Sequence, residues 1–150
     1  MKFQNSEKNM KTVLVCDRQV QMPSPVYIIP ETMQISEETN TISGKCLFPS
    51  SDPSVGDRKD HANVCHEMFT VWNCAYVWAE RKGWGRLFVI ESHQSIRRMT
   101  PPDTEIDFVV KLKKATKRGN RVIGSAEAKF SLKGMTLSLI VVDKFANKKV

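Results

Sequence analysis

Asp57, Asp60, His61, His66 and Glu67 place three carboxylates and two imidazoles within eleven consecutive positions of a 150-residue chain. Side chains of these types carry protons near neutral pH once burial or neighbours adjust their pKa values. The run leads without a break into the apolar stretch Met68 to Ala79, so it delivers polar groups to the mouth of a buried segment. Where that segment is a helix, the backbone N–H groups from Asn63 to Glu67 are donors without an intrahelical partner, and the helix dipole favours a developing oxyanion there. Asn63, Val64 and Cys65 are therefore candidate binding positions, and Asp57, His61, His66 and Glu67 candidate proton carriers. The plainer alternative stays open: a carboxylate in a first turn stabilises a helix by roughly 0.3–1 kcal/mol with no chemistry at all.

The elements that must position these groups follow from periodicity. Val64, Met68, Val71, Trp72, Ala75, Trp78 and Ala79 recur at helical spacing, and Gly83 supplies a stop, which predicts one helix of about five turns from Asn63 to Lys82. On it His66, Thr70 and Asn73 follow one line, with Glu67 and Cys74 beside them, making Thr70 and Asn73 further candidates. Phe69, Tyr76 and Val77 make the other sides apolar too, so the helix is expected to be enclosed. Polar side chains there need partners, because an unpaired buried group costs about 1–3 kcal/mol. Cys65 and Cys74 read as small buried hydrophobes.

Strands surround this helix. Val26 to Ile35 and Thr41 to Phe48 form a hairpin about Glu37 to Asn40. Arg86 to Arg97 is a strand ending at Arg97-Arg98 and the Pro101-Pro102 break. Glu105 to Lys113 alternates, with Ile106, Phe108, Val110 and Leu112 on one face; Arg121 to Phe130 and Thr136 to Val142 follow after Gly-containing turns. These four strands are expected to form an antiparallel meander. Residues 1–12 read as a flexible lead and 13–150 as one domain, of an α+β class with an antiparallel sheet wrapped around one long helix.

A net charge of +7 raises the question of an acidic partner. Much of the excess lies at Lys111, Lys113, Lys114, Lys117, Arg118 and Arg121, where a solvated hairpin tip and a phosphate contact are both open readings. No RNP, zinc-finger or helix-turn-helix context accompanies these cations, so nucleic-acid binding is not expected. No apolar run reaches the length of a bilayer span. The four cysteines lack CxxC spacing, so neither a metal site nor a disulfide framework is expected; together with a polar N-terminus this suits a cytoplasmic protein.

The order hairpin, long helix, four strands resembles the hotdog fold. Within that superfamily, Asp57 followed by His61-Ala62-Asn63 is similar to the acidic residue and His-x-Asn of acyl-CoA thioesterases. His61-Ala62-Asn63, Glu67, Trp72-Asn73 and Ala75-Tyr76 resemble the FcoT-like fatty acyl-CoA thioesterases over about 20 residues, with one residue more between His61 and Glu67 and one fewer between Asn73 and Ala75. The resemblance implies hydrolysis of an acyl thioester on CoA or on an acyl or peptidyl carrier protein. In that reading Asn73 and Glu67 orient the attacking water, the helix N-terminus serves as oxyanion site, and Arg97 or Arg98 meets carrier phosphates. It implies no cofactor and a homodimer. The alternatives are a hydroxyacyl-carrier dehydratase, for which His66 and Glu80 have the spacing but the His-Phe-Pro-Gly motif is missing, and a non-catalytic acyl-CoA-binding protein.

Overall fold

The computed structural model describes residues 10–52 and 64–147. Asn63, where the helical periodicity starts, lies outside the described residues. Helix α1, Val64–Lys82, ends where Gly83 adopts a φ of 69°, as the glycine stop predicts. Its enclosure is as expected: from Thr70 to Ala79 only Trp72 and Ala75 are more than marginally accessible. Val71, Cys74, Val77 and Trp78 enter the main core beside Ile42, Phe108, Phe130 and Ile140, whose alternate placement on strands aims them inward.

Among the described residues eight strands accompany the helix: β1 Met10–Val15, β2 Arg18–Pro23, β3 Ile28–Ser36, β4 Thr41–Cys46, β5 Leu87–Ile96, β6 Ile106–Arg118, β7 Arg121–Leu132 and β8 Met135–Asn147. The expected hairpin is β3–β4, closed by Ser36 opposite Thr41. The expected four-strand meander is corrected by the pairing. Only β6–β7–β8 is a meander; β5 crosses to the far side of β8, and β4 closes against β6, giving the antiparallel order β3-β4-β6-β7-β8-β5. The physical reason is α1, which lies between β4 and β5 in the chain and carries it across the sheet.

Met10, Lys11 and Thr12, assigned by sequence to the lead, are the first half of β1, which pairs with β2 in a two-stranded sheet. Val13, Val15, Val20 and Met22 alternate into the core on the inner face of this hairpin, and β2 packs along α1 while β1 approaches β3. The helix is thus covered by the six-stranded sheet and by the β1–β2 hairpin. Among the described residues no helix is long and apolar enough to cross a membrane.

Gly124 shows how closely the sheet is packed. A Cβ placed there would lie 2.3 Å from the Phe145 ring and 2.6 Å from the Lys114 carbonyl oxygen. A glycine at that point of β7 admits the Phe145 ring from β8.

Candidate active site

Glu67 lies in the first turn of α1 and is 3% exposed. Three side chains converge on its carboxylate. Ser138 of β8 donates to Oε2, Thr100 donates to Oε1 at 3.2 Å, and the Gln94 amide of β5 reaches Oε1 at 3.4 Å. Burial raises the Glu67 pKa above the ordinary carboxylate value, and the bonds from Ser138 and Thr100 offset part of that rise. A carboxylate whose pKa is raised, with donors that hold it in one orientation, is a better proton acceptor than an exposed one.

Gln94 links this carboxylate to open space. It also lines a cleft of about 440 Å³ between α1 and β5, whose other walls are Met68, Phe69, Trp72, Phe88, Val89 and Ser92. Helical spacing brings Met68, Phe69 and Trp72 to one side of α1, and the Phe69 and Trp72 rings stand 5.8 Å apart. The Trp72 indole N–H donates to the Leu87 carbonyl at 2.7 Å, which pins this wall to the start of β5. A largely apolar slot of this kind can hold a hydrophobic chain along its length, with the Gln94 amide at its polar end standing between the slot and Glu67.

His66 is also buried, on another side of the same turn. Its ring lies 5.0 Å from Tyr27 and 5.3 Å from Phe48, with Nε2 3.9 Å from Asp52 Oδ2; the Tyr27 hydroxyl donates to the same carboxylate oxygen. Thr70 donates to the His66 carbonyl at 3.2 Å and points into the interior. Asn73 stands apart: six residues after Glu67, about 9 Å further along the axis, it is fully buried and donates to the Pro23 carbonyl of β2 at 2.8 Å. Its Oδ1 has no hydrogen-bond partner among the described residues. The structure therefore brings Glu67 together with residues of β5 and β8, and ties Asn73 to the β1–β2 hairpin instead.

Asp57, His61 and Asn63, and the side chains of Val64 and Cys65, lie outside the described residues. Arg97 and Arg98 are exposed, and both backbone N–H groups donate to the Leu137 carbonyl, at 2.8 and 3.0 Å, beside Ser138. They lie three and two positions before Thr100, which bonds Glu67. Glu80 is exposed near the other end of α1, about 21 Å from His66 along the axis. Cys46 and Cys74 are buried with their thiol pKa values pushed up by desolvation, so they are inert at neutral pH. Among the described residues Glu91, His93 and Asp143 alone have donor atoms grouped as metal ligands would be, within 4.8 Å of one another; all three are exposed, and His93 Nε2 pairs with Asp143 Oδ2 at 2.9 Å.

Sequence reasoning missed Gln94, Thr100 and Ser138. Ser138 carries a signal, since it lies in phase with the inward-facing Ile140 and Val142 and so must bury a hydroxyl. Thr100 and Gln94 carry none, because their partner is settled by the strand crossing.

No model of a known protein family and no curated protein sequence matches the chain. Solved structures do. A thioesterase superfamily protein superposes with a TM-score of 0.50 at 12% identity, over 75% of this chain and 53% of that one, so the chain spans about half of that relative's length. The Escherichia coli PaaI protein, from the phenylacetic acid degradation operon, matches at 0.56 and 9% identity, over 76% of this chain and 80% of its own. A protein from Shewanella oneidensis provisionally assigned as a thioesterase matches at 0.50 and 12%, over 77% and 81%. Likeness at such identities is likeness of backbone, and it coincides with the strand order and the enclosed helix: the chain has the hotdog fold.

Proposed function

We propose that the chain is an acyl thioester hydrolase, acting on an acyl group carried by CoA or by an acyl or peptidyl carrier protein, with Glu67 as general base. The observation that carries this reading is the buried, upward-shifted Glu67 carboxylate, held by Ser138 and Thr100 and joined through Gln94 to an apolar cleft. The acyl chain lies along Phe69, Trp72 and Phe88. Glu67 takes a proton from water as its oxygen attacks the thioester carbonyl, and the first-turn N–H groups of α1 receive the oxyanion. On collapse the carbon–sulfur bond breaks and the proton passes to the leaving thiolate, freeing Glu67.

The amide that orients water or carbonyl in this scheme is Gln94, which touches both Glu67 and the cleft. Asn73 serves the reaction by seating α1 on β2. His61, Asp57 and Asn63 remain assigned to the site mouth by their sequence resemblance, and Arg97 and Arg98 to the carrier phosphates by resemblance and by their exposure close to Thr100 and Ser138.

We further propose a homodimer formed along β5. This strand is the edge of the six-stranded sheet and leaves Phe88, Ile90 and Ile96 at 41%, 54% and 56% exposure; an open edge with apolar side chains is a template for pairing with a second copy.

The test is free-thiol release from a panel of acyl-CoA and acyl-carrier substrates, run on the wild type, Glu67→Gln and Asn73→Ala. Thiol release lost in Glu67→Gln and retained in Asn73→Ala supports the assignment. No release from any substrate by the wild type sinks the hydrolase reading in favour of binding or dehydration, and full activity in Glu67→Gln sinks the base.

A further inference from the structure

The cations that the sequence left undecided gather with others at the opposite end of the sheet from Glu67. Gly83, Gly85 and Arg86, after α1, face Lys117, Arg118, Asn120 and Arg121 of the β6–β7 turn across a cleft of about 590 Å³. Behind it a second hollow of about 380 Å³ is lined by Lys114, Arg118, Arg121 and Lys144. Arg118 and Arg121 belong to both, so six cationic side chains share one surface. Asp143 is the one carboxylate among the lining residues, and it is engaged by His93. Among the described residues no ion pair is made by Lys114, Lys117, Arg118, Arg121 or Lys144.

Like charges gathered on one surface repel, and an anion received there relieves the repulsion. The cleft is also built rather than incidental. Asn147 is buried between its two walls: its Oδ1 accepts from the Val122 amide at 2.7 Å, and its Nδ2 donates to the Trp84 carbonyl at 3.1 Å and to the Asn120 carbonyl. One side chain thus clamps the turn after α1 to the β6–β7 turn. Gly83, Gly85 and Gly119 take φ values of 69°, 75° and 60°, so both walls are tight turns in which backbone can approach a ligand. Lys114, Lys117, Arg118, Arg121 and Lys144 are exposed around the braced turns, and several cations on one surface favour a compact polyanion over a single charge. The negative end of the α1 dipole opposes an anion here, which makes several cations necessary and favours a multiply charged ligand.

We propose that this cleft is a binding site for a small ligand bearing two or more phosphate groups, with Arg118 and Arg121 as its central contacts. The site is independent of the reading of Glu67. Ser138, which touches Glu67, and Asn147, which braces the cleft, lie nine residues apart on β8, a span of about 30 Å. The phosphates could come from a nucleotide or from an inorganic polyphosphate; RNA is the competing macromolecular partner.

The experiment is isothermal titration of the full-length chain with inorganic pyrophosphate, adenosine 3′,5′-bisphosphate and inorganic phosphate. It uses the wild type, Arg118→Ala/Arg121→Ala, Lys117→Ala/Lys144→Ala as a second pair outside the central contacts, and Lys129→Ala/Lys133→Ala as a control of equal charge loss elsewhere. Saturable one-to-one binding of pyrophosphate or the bisphosphate, weaker for phosphate, is expected; it should weaken about tenfold or more in the arginine pair, by less in the lysine pair, and within about twofold of wild type in the control. Pyrophosphate stronger than the bisphosphate assigns an inorganic source, and the reverse a nucleotide. Equal weakening in the control and the arginine pair, no saturable binding, or binding of a single-stranded RNA oligomer far tighter than either small ligand overturns the proposal.

Discussion

Replacing Glu67 with Gln keeps the size of the side chain and one acceptor oxygen, and removes the proton-accepting function. A positioned general base contributes about 10²–10⁴ in rate, which is roughly 3–5 kcal/mol of barrier, and this loss should appear in both kcat and kcat/KM. Folding responds differently. Because burial raises the Glu67 pKa, the folded state binds its proton more tightly than the unfolded state does. That contribution to stability is present below the unfolded pKa and disappears as pH rises through the folded value, so at neutral pH and above the wild type carries the cost of a buried charge that Gln lacks. The Ser138 and Thr100 hydroxyls can rotate to suit an amide. Glu67→Gln should therefore match or exceed the wild type in melting temperature at neutral pH, with the difference shrinking toward acid. The wild-type rate should climb with pH through the raised Glu67 pKa and level off, while the residual rate of the variant stays flat. Thiol-release kinetics and thermal melts across pH measure both. A variant with wild-type turnover, or one much less stable at neutral pH yet equal in acid, would refute the reasoning, since the second result means that the carboxylate is held charged.

Gly124→Ala forces a methyl group into the Phe145 ring and the Lys114 carbonyl; overpacking of this kind costs about 1–3 kcal/mol, a fall of several degrees in Tm by calorimetry. Asn73→Ala leaves the buried Pro23 carbonyl without its donor and should cost about 1–3 kcal/mol in urea unfolding while kcat/KM stays within a few-fold; a hundredfold loss of rate in a folded protein would return Asn73 to the chemistry. Ile90→Lys places a charge on the open edge of β5 and should shift light scattering from dimer to monomer. Native thiol labelling at neutral pH should reach the exposed Cys16 and leave Cys46 and Cys74 unreacted until denaturant is added.

Local pattern was readable wherever one face is buried. Ile106, Phe108, Val110 and Leu112 are all buried with Lys111 and Lys113 outside, as their alternation requires. Where pattern gave way to pairing, it was not: β6 runs on to Arg118 through polar residues because its ladder with β7 continues to Arg121, and backbone hydrogen bonds do not depend on side-chain polarity. The β1–β2 hairpin was missed because its turn is Cys16-Asp17, with Cys16 at a φ of 57°, in place of the Gly or Asn that marks such turns.

By itself the sequence determined that a carboxylate and a histidine sit in the first turn of one enclosed helix, because helical spacing and a glycine stop are properties of neighbouring residues. It also determined that Phe69 and Trp72 share a side of that helix. Only the tertiary structure decided what Glu67 meets: Gln94, Thr100 and Ser138 lie 27, 33 and 71 positions away. Their convergence depends on β5 crossing to the outer side of β8 rather than pairing with β6. Such a choice arises from how α1 is buried against the whole sheet, and no local periodicity encodes it. The tertiary structure likewise decided that Asn73 meets the Pro23 carbonyl of β2, and that Asn147 bridges the loop after α1 and the β6–β7 turn.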